Sequence, residues 1–129
     1  MRLSVLNEAL DELIIAEADW GGLPGRDELL EIADTPEDAL DDVKFYKEMR
    51  EDLEVLERGR DSREKLEIIP DEFKKSYARR ARGRISPNKL LYVYQEALMK
   101  NIGIFMKTLA RNLAKFPELK DVYAKAGIT

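Results

Sequence analysis

The sequence predicts an all-α fold, a bundle of five to six helices in which two long antiparallel helices span about residues 36–58 and 86–116. Three observations support this prediction. Apolar residues recur at intervals of three and four, charged residues make up 37% of the chain, and no stretch alternates as a strand does. Its 129 residues fit one helical domain.

Two helices separated by a loop are expected before residue 36. Apolar residues at spacings of three and four, with acidic residues between them, predict an amphipathic helix over residues 3–16: Leu6, Ala9, Leu10, Leu13 and Ile14, with Glu8, Asp11 and Glu12. Three glycines and a proline predict a loop over residues 20–25, and their spacing matches no phosphate-binding fingerprint. Residues 26–33 are expected to form a short helix.

The first long helix has the clearest start signal in the chain. Thr35 suits the capping position, Pro36 suits the first helical position, and acidic residues follow in the first turn. Its apolar side is expected to contain Leu40, Val43, Tyr46 or Met49, Leu53 and Leu56. Gly59 interrupts the pattern, and Asp61 with Glu64 then predicts a short helical turn through Leu66.

A basic helix is predicted over residues 71–82. Phe73, Tyr77 and Ala81 form its apolar side, and Gly83 is the expected stop.

The second long helix is predicted over residues 86–116. Ser86 is its expected cap, Pro87 suits the first position, and no further proline occurs before Pro117. At about 100° per residue, one sector is apolar and is expected to form the core: Leu91, Tyr94, Leu98, Ile102, Phe105, Leu109, Leu113 and Phe116. The opposite side is basic, with Glu96 as its one acid. Gly103 either kinks this helix or splits it, which would make residues 94–113 a helix-turn-helix candidate.

A last short helix is expected after Pro117. It includes Leu119, Val122 and Tyr123 and is closed by Gly127.

Charge divides the chain into two halves. Residues 1–70 hold 9 basic and 21 acidic residues, whereas residues 71–129 hold 13 basic and 5 acidic ones, which gives the overall charge of −4. This asymmetry suggests a basic surface for a polyanion or an acidic protein. The alternative is that the acidic half folds back on the basic half and neutralises it.

The basic residues of the second half are the strongest functional candidates. Phosphate backbones attract lysine and arginine without regard to sequence, so these residues are the predicted contacts with DNA or RNA: Lys74, Lys75, Arg79, Arg80, Arg82, Arg84, Lys89, Lys100, Lys107, Arg111 and Lys115. Tyr92 is free to stack on an unpaired base, whereas Tyr94 falls in the core sector. We therefore expect a non-enzymatic, nucleic-acid-associated subunit of a larger nucleoprotein assembly. Lysines on the solvent-exposed side of a helix also keep a protein soluble, and this is the simpler explanation of the basic residues.

Two other functions remain open. The first is a protein-protein adaptor or oligomerisation module, whose acidic and basic halves form a charge dipole that orients it in an assembly. Its long apolar sides can be covered by other protein subunits or by a second copy of the chain.

The second is an enzyme that uses carboxylates, since the chain has neither histidine nor cysteine. Acidic pairs recur at i and i+3, a spacing with which helical bundles hold Mg²⁺: Asp38 with Asp41, Glu48 with Glu51, Glu54 with Glu57, and Glu64 with Glu67. This superficially resembles the all-α nucleotide pyrophosphatases, whose paired ExxE and ExxD helices hold magnesium, and implies nucleotide hydrolysis that depends on Glu48 and Glu51. In this chain the ExxE and ExxD motifs do not occur together as the pair that is typical of that family. Helix-surface pairs such as Lys44 with Glu48 and Lys47 with Glu51 offer a simpler explanation.

Composition bounds the remaining possibilities. Without cysteine the chain has no disulfides, no thiol catalysis and no cysteine-ligated zinc, and without histidine it has no imidazole base. No metal and no cofactor are predicted. No apolar run reaches the roughly 18 residues of a membrane span, so we expect a soluble, cytoplasmic protein without membrane contact.

Overall fold

The computed structural model of the chain describes residues 26–59, 61–80 and 86–128. Within these ranges every regular element is a helix, which confirms the predicted all-α fold. The helices are α1 (Arg26–Leu30), α2 (Pro36–Arg58), α3 (Ser62–Glu67), α4 (Asp71–Arg80), α5 (Pro87–Lys115) and α6 (Lys120–Lys125), and a 3₁₀ turn at Pro117–Leu119 precedes α6. The helix predicted at residues 3–16 and the loop predicted at residues 20–25 lie outside the described residues.

The two long helices, α2 and α5, lie side by side and antiparallel. Asp42, in the first half of α2, meets Asn112 near the end of α5, and Phe45, one turn further along α2, meets Phe105. The two phenylalanine rings pack edge to face with their centroids 5.4 Å apart. Residue numbers rise along one helix as they fall along the other, which confirms the predicted pairing.

Helix α5 is the centre of the bundle, because α1, α2, α3, α4 and the 3₁₀ turn all contact it. Because these neighbours lie on several sides of α5, they bury a wider sector of the helix than the apolar sector that the sequence predicts. The predicted set of core residues is therefore only partly right. Three of the predicted core residues, Leu91, Leu113 and Phe116, are only partly buried. Six residues outside the predicted sector are buried instead: Leu90, Val93, Ala97, Asn101, Thr108 and Asn112.

Side-chain capping hydrogen bonds mark the starts of two helices, α2 and α3. The Thr35 hydroxyl accepts a hydrogen bond from the Asp38 N–H at 3.2 Å, so α2 begins at Pro36 as predicted. The Asp61 carboxylate accepts from the Arg63 N–H at 2.9 Å and starts α3. Ser86 occupies the capping position of α5, but its side chain makes no capping hydrogen bond.

Helix α5 runs without a break through Gly103, so the helix-turn-helix hypothesis for residues 94–113 is wrong. A β-carbon at this glycine would meet no atom within 4 Å, which places the residue on an open side of the helix. One exposed glycine weakens a helix by about 1 kcal/mol, and the contacts along the rest of α5 outweigh that loss.

The ends of the smaller helices differ in detail from the prediction. Helix α1 ends at Leu30 rather than at residue 33, and the structure describes α4 as far as Arg80, so Ala81 and Gly83 lie outside the described residues. The last helix closes as predicted at Gly127, whose φ of 81° is a left-handed conformation that suits glycine. Val122 is exposed, in contrast to Leu119 and Tyr123.

Candidate nucleic-acid interface

Three of the predicted contact residues form one exposed strip along α5. Lys100, Lys107 and Arg111 are all exposed and lie within about 40° of each other around the helix. We call these three residues the basic face. The ion pairs of the described residues are Arg58 with Glu54 and Lys74 with Asp71, so no described carboxylate lies within 4.0 Å of the basic face.

The acidic surface of α2 does not neutralise the basic face through ion pairs in the described part of the chain. The expected pairs of Lys44 with Glu48 and Lys47 with Glu51 are also not formed there, although all four side chains are exposed. Long exposed side chains gain little from pairing in water, which is the physical reason.

Lys115 and Lys89 occupy different environments from the basic face. The Lys115 ammonium donates to the Ala33 carbonyl at 2.9 Å and lies 5.4 Å from the centroid of the Phe116 ring, so this side chain ties α5 to the segment after α1. Lys89 is partly buried, with its ammonium 6.0 Å from the centroid of the Tyr92 ring. Each of these two ammonium groups has a contact within the protein, so neither is an isolated surface charge.

The basic residues of α4 lie towards the other end of α5. Phe73 of α4 packs edge to face on Tyr94 with centroids 5.0 Å apart, and Tyr94 is about 20 Å along the helix axis from Lys107. Lys75 and Arg79 are exposed, and Lys74 is partly buried with its ammonium 3.8 Å from the Asp71 carboxylate. The side chain of Arg80, and Arg82 and Arg84 entirely, lie outside the described residues.

An apolar surface borders the basic face. Tyr92, Met99 and Met106 are 53%, 44% and 40% exposed, and they follow one another at steps of seven residues along α5. We call these three residues the apolar stripe. Tyr92 is exposed and Tyr94 is buried, so of these two rings only Tyr92 has the exposure that the predicted base stacking requires.

Two buried polar side chains of α5, which the sequence analysis missed, hold α1 and α2 in place. The side-chain oxygen of Asn112 accepts from the Ala33 N–H at 2.8 Å, and its amide donates to the Asp42 carboxylate at 2.8 Å. The Thr108 hydroxyl donates to the Leu29 carbonyl. Together with Asn101, which is also buried, they place three polar residues at spacings of seven and four on one side of α5, and this spacing was a signal that could have identified them.

Burial and like charge raise the pKa of two carboxyls on α2. Burial is the main cause of the raised pKa of Asp42, and Asp38 and Asp41 add to it, while the hydrogen bond from Asn112 acts in the opposite direction. Burial also raises the pKa of the Asp52 carboxyl, with Glu48 and Glu51 contributing. The carboxylates around Asp42 and Asp52 are thus close enough together for their like charges to raise the pKa of these two groups further.

The carboxylate pairs considered for Mg²⁺ lie exposed along α2 and α3. In residues 26–59, 61–80 and 86–128, no three or more acidic side chains come together as a metal site. Glu51, Glu54 and Glu57 border an open groove of about 420 Å³ beside Gly127, but Arg50 and Arg58 share its wall.

Comparison of the chain with protein-family models, curated proteins and solved structures finds no match. The described helices include none that combines the length and the apolar character needed to cross a membrane.

Proposed function

We propose that this protein is a non-enzymatic helical subunit of a nucleoprotein assembly and that the basic face of α5 contacts the phosphate backbone of DNA or RNA. The observation that supports this proposal most directly is that Lys100, Lys107 and Arg111 are exposed together with no described carboxylate within 4.0 Å. Phosphates release condensed counterions when they meet such side chains, and this drives binding without reading the sequence.

The dimensions of the basic face suit a phosphate backbone. Lys100 and Arg111 are separated by about 16 Å along the helix axis, and the phosphates of one strand of a duplex follow at about 3.4 Å along its axis. The strip therefore spans about five phosphates of one strand, enough for each of the three side chains to take its own. Because the strip lies on the helix at the centre of the bundle, its spacing is maintained by the packing around α5.

Binding of labelled mixed-sequence oligonucleotides, single- and double-stranded, tests the proposal at low and at physiological salt. The informative variant is the triple substitution Lys100→Ala/Lys107→Ala/Arg111→Ala. For duplex DNA each lost phosphate contact reduces the slope of log affinity against log salt by about 0.9, so we expect a slope shallower by about 3 and weaker binding to every sequence.

A matched control variant distinguishes the loss of the basic face from the change in net charge that accompanies it. Lys44, Lys47 and Arg50 are exposed on α2, and their replacement by alanine removes the same three charges. We expect this variant to keep the wild-type salt slope. Equal losses in the two triple variants, or no binding of the wild type even at low salt, would refute the proposal.

The apolar stripe favours a second candidate function, a protein-protein adaptor. Three half-exposed large side chains on one helix are typical of a surface that another protein covers. In that case oligonucleotide binding is absent at both salt concentrations, and replacing Met99 and Met106 by serine abolishes association with the partner.

A further inference from the structure

The apolar stripe and the basic face lie side by side along α5. Their centres are about 100° apart around the helix axis, and together they extend from Tyr92 to Arg111, which is about 29 Å. On its other side the apolar stripe borders no basic residue of α5 but the buried residues Ile102 and Leu109. A ligand that covers both sets must therefore be negatively charged along one edge and apolar along the other.

A single nucleic-acid strand has this form. Its phosphates follow one edge, and its unpaired bases project from the other edge and offer flat apolar faces. In a duplex those faces are stacked inside, and the grooves present base edges, which need side chains that donate or accept hydrogen bonds. The methionine side chains of the apolar stripe have no donor and only a weak acceptor.

We propose that this surface binds a single strand of DNA or RNA, with its phosphates on the basic face and its bases on the apolar stripe. The inference rests on the proposed phosphate contact and specifies the strand state of the nucleic acid. Charge complementarity supports the position of the phosphates, and the exposed apolar side chains support the position of the bases.

Tyr92 supplies the stacking surface. Its side chain is 53% exposed, and the Lys89 ammonium lies 6.0 Å from the centroid of its ring, which adds a positive charge beside the stacked base. An aromatic side chain stacks on any base, and its loss weakens binding by about 5- to 150-fold per base. The thioethers of Met99 and Met106 are polarisable and make favourable contacts with aromatic rings such as those of bases.

Gly103 leaves a shallow depression between the two sets of residues. Met99 and Lys100 lie about one turn before it and Met106 and Lys107 about one turn after it, with the methionines on one side and the lysines on the other. Gly103 is exposed, and a β-carbon there would meet nothing within 4 Å. A base seated in the depression would lie between the two methionines with its phosphate next to the lysines.

Electrostatic attraction alone predicts the opposite strand preference. Duplex DNA has the higher charge density, and each phosphate contact contributes about 0.9 to its salt slope, compared with about 0.7 for a single strand. A protein that bound only phosphates would therefore favour the duplex. A preference for the single strand reports directly on contacts with bases.

Fluorescence anisotropy of the full-length protein with labelled mixed-sequence 12-mers tests the inference. About nine nucleotides stacked at about 3.4 Å cover 29 Å, so a 12-mer spans the surface. The probes are single-stranded DNA, single-stranded RNA, duplex DNA and an abasic DNA strand, which has the phosphates without the bases. We expect the tighter-binding single strand to bind at least about tenfold more tightly than the duplex and at least about fivefold more tightly than the abasic strand.

The variant Tyr92→Ala/Met99→Ala/Met106→Ala removes the apolar stripe and leaves every charge in place. Its affinity for the single strand should fall at least about fivefold with an unchanged salt slope, and its affinity for the abasic strand should stay the same. The matched control Leu30→Ala/Ile32→Ala/Val122→Ala removes three apolar side chains that are 41%, 41% and 43% exposed on other helices or loops, and it should bind as the wild type does. Circular dichroism checks that both variants fold.

The outcomes distinguish this inference from the proposed function. Duplex binding as tight as single-strand binding, or equal affinities of the two triple variants for the single strand, would overturn the inference and leave the phosphate contact standing. Absence of binding to every probe at low salt would overturn the phosphate contact itself, and this inference with it.

Discussion

Replacement of Asn112 by alanine tests the buried polar contacts that join three parts of the bundle. Asn112 is fully buried, at 0% exposure, and it holds the Ala33 N–H and the Asp42 carboxylate at 2.8 Å each. An alanine side chain can form neither of these two hydrogen bonds. The backbone N–H of Ala33, which is 7% exposed, then has no acceptor in an apolar environment.

The expected loss of stability is about 3–4 kcal/mol. An unsatisfied buried N–H costs about 1–3 kcal/mol, and the hydrogen bond to a carboxylate is worth about 1.5–3 kcal/mol when buried. Asp42 is only partly buried, so water replaces part of that bond and we count about 1 kcal/mol for it. The small cavity left by the truncated side chain contributes the remainder.

Urea denaturation followed by circular dichroism at pH 7 measures the loss. We expect a lower midpoint with an unchanged slope, because the same surface is exposed on unfolding. Asn88→Ala is the matched control, since Asn88 is exposed in the first turn of the same helix, and it should change stability by less than about 0.5 kcal/mol. A loss below about 1 kcal/mol for Asn112→Ala would refute the reasoning, because it would mean that Ala33 finds another partner.

Three further predictions concern single positions. Gly103→Ala should raise stability by about 1 kcal/mol in the same urea assay, because its β-carbon meets nothing within 4 Å and alanine favours the helix; a lower midpoint would show a hidden contact. Thr108→Val should lower stability by about 1–2 kcal/mol through loss of the bond to Leu29, whereas Thr108→Ser should retain most of it. Asp52→Asn should be more stable than the wild type at pH 7 by less than about 1 kcal/mol. Its raised pKa means that the folded state disfavours the charged carboxylate, so the advantage should vanish below about pH 4, where the aspartate is protonated; an advantage independent of pH in urea titrations would contradict this.

The fold was predictable because its signals are local. Thr35 and Pro36 start α2, the three-and-four spacing of apolar residues carries it to Arg58, and the chain between Pro87 and Pro117 contains no other proline. These signals act over a few neighbouring residues, so they do not depend on how the helices pack. The pairing of α2 with α5 follows from their similar length and their apolar sides.

The candidate site was predictable only in part. The exposure of Lys100, Lys107 and Arg111 follows from their position opposite the apolar residues of α5. Lys115 has the same spacing, yet its ammonium bonds to Ala33, a residue 82 positions away in the chain. No local pattern contains that information, because the partner is a backbone carbonyl that any residue could supply.

The sequence by itself therefore determined the two long helices, their limits and the separation of acidic from basic halves, since capping, helical periodicity and charge are properties of neighbouring residues. The tertiary structure alone decided which sector of α5 is buried and that Asn112 and Thr108 satisfy the backbone near α1. It also decided that Met99 and Met106 remain exposed beside the basic face. Each of these outcomes depends on which helices surround α5, and that is set by the packing of the whole bundle rather than by any one segment.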